Sequence, residues 1–142
     1  VNIKFNKKKF IIVNTHLNAD AVFSTRDYCE KIRMQQMDQL LERITTINNV
    51  EKQDIIICGD FNIDFTTNNG KKIYKKILQT TRSCINSKKM ITYEDDNIQY
   101  DQIFFLPHIS SSYDHTYKVY DKHYKKLSDH YPLELTLTRH KK

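Results

Sequence analysis

The sequence predicts a layered α/β domain, and three stretches carry that expectation. Asp54-Ile55-Ile56-Ile57-Cys58 is a short continuous apolar run ended by Gly59, the pattern of a strand buried on both faces. Ahead of it, Met37, Leu40, Leu41 and Ile44 fall at i, i+3, i+4 and i+7, one apolar stripe of a helix over about residues 25–48. Near the end, Leu133, Leu135 and Leu137 alternate with Glu134, Thr136 and Thr138, so a last strand is half-buried. Strands interleaved with helices stack as layers around a shared core.

The remaining elements follow in chain order. Asn2 to Asn6 and Phe10 to Thr15 are rich in Ile, Val and Phe and flank Lys7-Lys8-Lys9, which predicts a hairpin with the lysines in its turn. Ser24 or Thr25 can cap the long helix, with Asp27 in its first turn where a carboxylate suits the helix dipole. Thr66-Thr67-Asn68-Asn69-Gly70 reads as a loop, followed by a shorter helix over Lys71 to Gln79. Gln102 to Leu106 reads as a strand stopped by Pro107. No repeat, linker or second domain interrupts the 142 residues.

Composition narrows the function classes. With 39% hydrophobic residues the chain has material for a core and does not read as disordered. Its 23 Lys and Arg against 17 Asp and Glu give +6, which attracts phosphate-bearing partners. Eighteen of those cations are Lys in a chain also rich in Ile and Asn, a bias that AT-rich coding explains without selection for binding. Cys29, Cys58 and Cys84 lack zinc spacing and are expected as reduced thiols. No apolar run approaches the ~20 residues of a membrane-spanning helix. The first residues read as a strand and not as a signal peptide, so the compartment stays open.

The chemistry-bearing residues gather at strand ends. Four places stand out: Asn14-Thr15-His16-Leu17, Gly59-Asp60-Phe61-Asn62, Tyr100-Asp101-Gln102-Ile103 and Ser128-Asp129-His130-Tyr131-Pro132. Ligands of α/β sheets bind beyond strand ends, so these places can converge on one site. Each alone has an ordinary structural explanation. His16 reads as a satisfied half-buried histidine, Asp60 and Asn62 as turn residues, Asp101 as a strand start, and Asp129 as turn chemistry before Pro132. Together, two His and three Asp beside hydrophobic strands suit phosphodiester hydrolysis. Carboxylates bind a hard cation such as Mg²⁺, and imidazoles supply a base for water and a donor to phosphoryl oxygens. Nucleophilic catalysis by Cys or Ser fits less well, because Cys58 lies inside an apolar run and no Gly-x-Ser-x-Gly elbow occurs.

In order, NTHL (14–17), GDFN (59–62), YDQI (100–103) and SDHYPL (128–133) resemble the endonuclease/exonuclease/phosphatase superfamily, which includes deoxyribonuclease I and the neutral sphingomyelinases. The resemblance implies the C-terminal half of a four-layer α/β sandwich, two mixed β-sheets flanked by helices. It implies His130 as general base with Asp101 orienting its ring, Asp129 as a ligand of Mg²⁺ or Mn²⁺, and Asp60 positioning the nucleophile or the metal. Asn62 would bind phosphate, and His16 would donate to the phosphoryl oxygens. The family's Asn and its principal metal-binding Glu belong ahead of NTHL, where this sequence holds no acid. The whole of 1–142 is therefore expected to be the C-terminal half of such a domain, inactive without its N-terminal half. Ala19, Arg33 and Gln36 after Thr15-His16-Leu17 look sphingomyelinase-like, favouring phosphocholine release over deoxyribonuclease I-like cleavage of nucleic acid. The Tyr- and Lys-rich stretch from Tyr113 to Tyr131 suits lipid headgroups or stacked bases, or is simply an exposed strand and loop. A non-catalytic interaction module on the same scaffold is the remaining alternative.

Overall fold

The computed structural model describes residues 1–5, 8–20, 24–51, 54–81, 91–93, 98–106, 113–120 and 128–140. They form strands β1 (Asn2–Phe5), β2 (Lys8–His16), β3 (Asp54–Asp60), β4 (Asp101–Phe105), β5 (Tyr113–Val119) and β6 (Leu133–Arg139). Helix α1 spans Arg26–Glu51 and α2 spans Asn68–Thr81. One sheet has the order β1-β2-β3-β4, with β2 and β3 parallel across the α1 crossover and both outer pairs antiparallel. The second sheet pairs β5 with β6 antiparallel.

Alternation along the strands builds two cores. Ile55 and Ile57 of β3 and Phe104 of β4 face the helices, joining Met37, Leu41 and Ile44 of α1 and Ile73 and Ile77 of α2. Ile56 and Cys58 lie on the other side, with Phe10, Ile103, Phe105 and the three leucines of β6. The helix side also holds an aromatic group: Phe61 packs edge-on against Phe104 at 5.3 Å, flanked by Phe65 and Tyr74. Such pairs add about 0.5–1.5 kcal/mol beyond their buried area. Helices, a mixed sheet and a second sheet are thus stacked in the expected sandwich.

Local chemistry explains the element ends. Thr25 caps α1, its hydroxyl accepting the Tyr28 N–H at 3.3 Å. At α2 the helix starts earlier than the sequence suggests. The Thr67 hydroxyl accepts the Gly70 N–H at 3.0 Å, which makes Thr67 the cap and brings Asn68 to Gly70 inside the helix. Gly70 is there for closeness, since a Cβ would sit 2.0 Å from the Asp64 carbonyl oxygen, and not as a helix breaker. The first hairpin also differs from expectation. Lys8 and Lys9 belong to β2, paired with Phe5 and Lys4, while the connecting residues 6–7 lie outside the described residues. β4 opens one residue earlier than expected, at Asp101. Pro107, Cys84 and residues 121–127 of the Tyr- and Lys-rich stretch also lie outside them. Cys29 and Cys58 are free thiols, as expected of reduced cysteines.

Candidate active site

Strand register lines up three of the titratable groups. His16 at the end of β2 is paired with Asp60 at the end of β3, and Asp60 is paired with Asp101 at the start of β4. Neighbouring strands lie about 4.8 Å apart, so the backbone alone sets these residues in a row. The row continues beyond the strands through backbone hydrogen bonds from Leu17 N–H to Asp60 and from Phe61 N–H to Tyr100, at 2.9 and 3.0 Å. Gly59 makes the close pairing possible. Its φ is +131°, and a Cβ there would meet the Thr15 carbonyl oxygen at 1.9 Å.

His130 is brought to this row from the chain after β5. Its Nδ1 lies 2.7 Å from Asp101 Oδ2, a charge-assisted hydrogen bond, and its Nε2 lies 3.7 Å from Asp60 Oδ2. His16 Nε2 approaches the same Asp60 oxygen at 3.6 Å. The two imidazoles differ in setting, His16 being 71% exposed and His130 27%. The other Asp60 oxygen, Oδ1, accepts the Asn62 N–H at 2.8 Å and holds Asn62 at a φ of +50°, left-handed backbone that asparagine tolerates better than most residues. The Asn62 side chain donates to the Leu17 carbonyl at 3.0 Å, tying the GDFN turn to the end of NTHL.

Electrostatics follow the same contacts. Burial pushes the Asp60 carboxyl up, the Asn62 N–H opposes that shift, the Asp101 charge adds to it, and both imidazoles oppose it. Burial alone would pull the His130 imidazole down. The hydrogen bond and charge of Asp101, with the charges of Asp60 and Asp129, outweigh that pull and hold it above its ordinary value. Cys58 has its thiol pushed up by burial, which agrees with an inert structural cysteine.

All six residues singled out in the sequence, His16, Asp60, Asn62, Asp101, Asp129 and His130, line one open cleft of about 560 Å³. Ala19, Asp20, Arg33, Tyr93 and Tyr100 complete its walls. Arg33 is buried in α1, and its guanidinium donates to the Asn18 carbonyl and the Asp20 carboxylate at 3.0 and 2.6 Å. Gln36 accepts the Asn18 N–H at 2.9 Å, so α1 holds the loop that follows His16. Sequence reasoning missed Thr92 and Tyr93. Thr92 is fully buried, and the Tyr93 ring stands 5.0 Å from the His130 ring. Their one sequence signal is an apolar Ile91 and a Tyr flanking a threonine shortly before YDQI.

Asp60 and Asp129 supply two hard carboxylates to one cleft, matching the one or two that proteins usually offer Mg²⁺. Among the described residues no three His, Cys, Asp or Glu side chains gather as a metal-holding cluster. The residues present therefore fit part of a coordination shell.

No protein-family model matches the chain, and no curated protein matches it. Solved structures do. SmcL superposes with a TM-score of 0.74 at 24% identity, over 96% of this chain and 56% of its own. A Staphylococcus aureus beta toxin mutant with bound magnesium ions gives 0.68 at 18%, over 94% and 55%. A variant of the 3′ phosphatase NExo from Neisseria, bound to a product DNA hairpin, gives 0.60 at 13%, over 96% and 63%. The chain spans little more than half the length of these proteins. At such identities the likeness speaks to architecture alone: nearly the whole chain shares the mixed α/β fold of about half of each of these proteins.

Proposed function

We propose that this chain supplies the base-bearing half of a divalent-metal-dependent phosphodiester hydrolase, with sphingomyelin as the favoured substrate. The carrying observation is the His130 imidazole, whose Nδ1 is engaged by Asp101 at 2.7 Å while Nε2 faces Asp60 and the cleft. In the neutral ring that bond puts the proton on Nδ1 and leaves Nε2 as an acceptor. His130 Nε2 takes a proton from water as the water oxygen bonds to phosphorus. The phosphorus–oxygen ester bond breaks, and the leaving oxygen takes a proton from solvent. Asp60 orients the water between its Oδ2 and His130, while His16 and the Asn62 amide donate to the phosphoryl oxygens. Asp60 and Asp129 are the residues that would hold Mg²⁺ or Mn²⁺, whose charge offsets that of the phosphate.

The substrate choice rests on the loop after His16. Arg33 and Gln36, the two α1 residues of the sphingomyelinase-like segment, fix that loop in place, and the sphingomyelinase SmcL overlaps nearly the whole chain. In this reading the chain is the C-terminal half of a catalytic domain, and peripheral membrane contact brings it to its lipid. The test pairs the chain with the missing half and measures phosphocholine release beside nicking of supercoiled plasmid, each with Mg²⁺ and with EDTA. Phosphocholine release abolished by EDTA is expected, and His130→Ala should reduce it by about 10²–10⁴-fold. Nicking with salt-sensitive DNA binding and no phosphocholine release would establish the nuclease alternative. Turnover of neither substrate would leave a non-catalytic module.

A further inference from the structure

The His130–Asp101 pair joins two segments that no described strand pairing connects. Asp101 opens β4, the edge strand of its sheet, and His130 sits on an irregular stretch before β6. A 2.7 Å bond between them needs something that fixes both backbones. One residue bonds to both segments. The Thr92 hydroxyl oxygen accepts two backbone N–H groups, from Tyr100 and from Asp101, each at 3.0 Å. The Thr92 carbonyl accepts the Tyr131 N–H at 2.8 Å, and the Thr92 N–H donates to the Ile98 carbonyl at 3.1 Å. Next to it, Tyr93 forms a β-bridge with His130 and sets its ring against the imidazole at a tilt of 46°.

We propose that Thr92 is the positioning residue of the site, holding the Asp101 carboxylate and the His130 ring in hydrogen-bonding register. The inference rests on the reading of His130 as base and extends it to a residue that touches neither water nor phosphate. The physical reason is the accounting of buried donors. The Tyr100 and Asp101 N–H groups lie at a sheet edge where Thr92 is fully buried, and a buried donor without an acceptor costs about 1–3 kcal/mol. A hydroxyl can accept both at once. Valine has the same shape and cannot accept either, so Thr92→Val leaves two donors to seek new partners and frees the start of β4. Thr92→Ser restores the acceptor.

The experiment is side-chain and amide NMR on the chain. In the wild type and Thr92→Ser, His130 should be protonated on Nδ1 with a downfield Nδ1–H resonance. The Tyr100, Asp101 and Tyr131 amides should exchange slowly. Thr92→Val should lose the downfield resonance and exchange those amides at least about tenfold faster, with the α1 and α2 amides unchanged. An unaltered Nδ1–H resonance in Thr92→Val overturns the proposal. If Thr92→Val does not fold, the wild type decides: rapid exchange at Tyr100 and Asp101, or failure of Thr92→Ser to keep the resonance, overturns it equally. Asp101→Asn is the control for the underlying reading. A His130 ring that keeps the Nδ1–H resonance in Asp101→Asn would remove the dyad itself, whatever Thr92 does.

Discussion

Gly59→Ala tests the geometry that makes the site. The methyl carbon would lie 1.9 Å from the Thr15 carbonyl oxygen, where real contacts are not shorter than 3.0 Å, so β2 and β3 must separate by more than 1 Å at that pair. Two costs add. A side chain at φ +131° occupies sparsely populated backbone space at about 1–3 kcal/mol, and forcing atoms into a packed contact costs a further ~1–3 kcal/mol. The expected loss is about 2–6 kcal/mol, a large share of the ~5–15 kcal/mol that stabilises a typical domain. Urea unfolding followed by far-UV circular dichroism measures it, and with a slope of about 1–3 kcal/mol/M the midpoint should fall by roughly 0.7 M or more. Gln79→Ala, on the exposed side of α2, is the comparison and should stay within about 0.5 kcal/mol of wild type. Because the next pair is His16 with Asp60, a folded remnant should also lose the contact between those side chains. A Gly59→Ala chain as stable as the Gln79→Ala comparison would mean that the strands do not pack as described.

Other expectations separate stability from chemistry. Asp60 has a raised pKa, so its ionised form is disfavoured in the fold; the stability it contributes is complete below the unfolded pKa of about 3.9 and is lost as pH rises through the folded value. Asp60→Asn should therefore raise the urea midpoint at pH 7, with the difference vanishing in acid, while turnover in the assembled domain falls; a destabilised variant at pH 7 would contradict the assigned environment. His130 should titrate above about 6.5 in the metal-free chain, followed by histidine ring carbon shifts, and Asp101→Asn should move that midpoint down. Its stabilising contribution is present below the unfolded value and fades as pH climbs through the folded one.

Much of this was legible in the residues. The run Ile55 to Ile57 and the leucines of β6 announced a two-sided sheet and a one-sided one, because each face's burial is written in every second residue. The four strand-end motifs also held the histidines, Asp60, Asn62, Asp101 and Asp129 that the cleft brings together, though not Asp20, Arg33 or Tyr93 of its walls. What the sequence hid was governed by contacts between distant backbones. Thr92 between Ile91 and Tyr93 carries little that marks it; only the fold shows that its hydroxyl takes the amides of Tyr100 and Asp101. Gly70 read as part of a loop because the nearness of the Asp64 carbonyl is tertiary information. The place of Lys8 and Lys9 in β2 was obscured by their charge, although an edge hairpin tolerates lysine well.

The row His16, Asp60, Asp101 has an evolutionary corollary. Its spacing is inherited from strand pairing, not from loops, so gain or loss of a single codon within β3 would turn Asp60 away from its histidines and exchange the residues serving the two cores. Diversification by insertion should accordingly be confined to the connections, such as those following Thr81 and Phe105, while the three strand ends stay gap-free across any lineage that retains the chemistry.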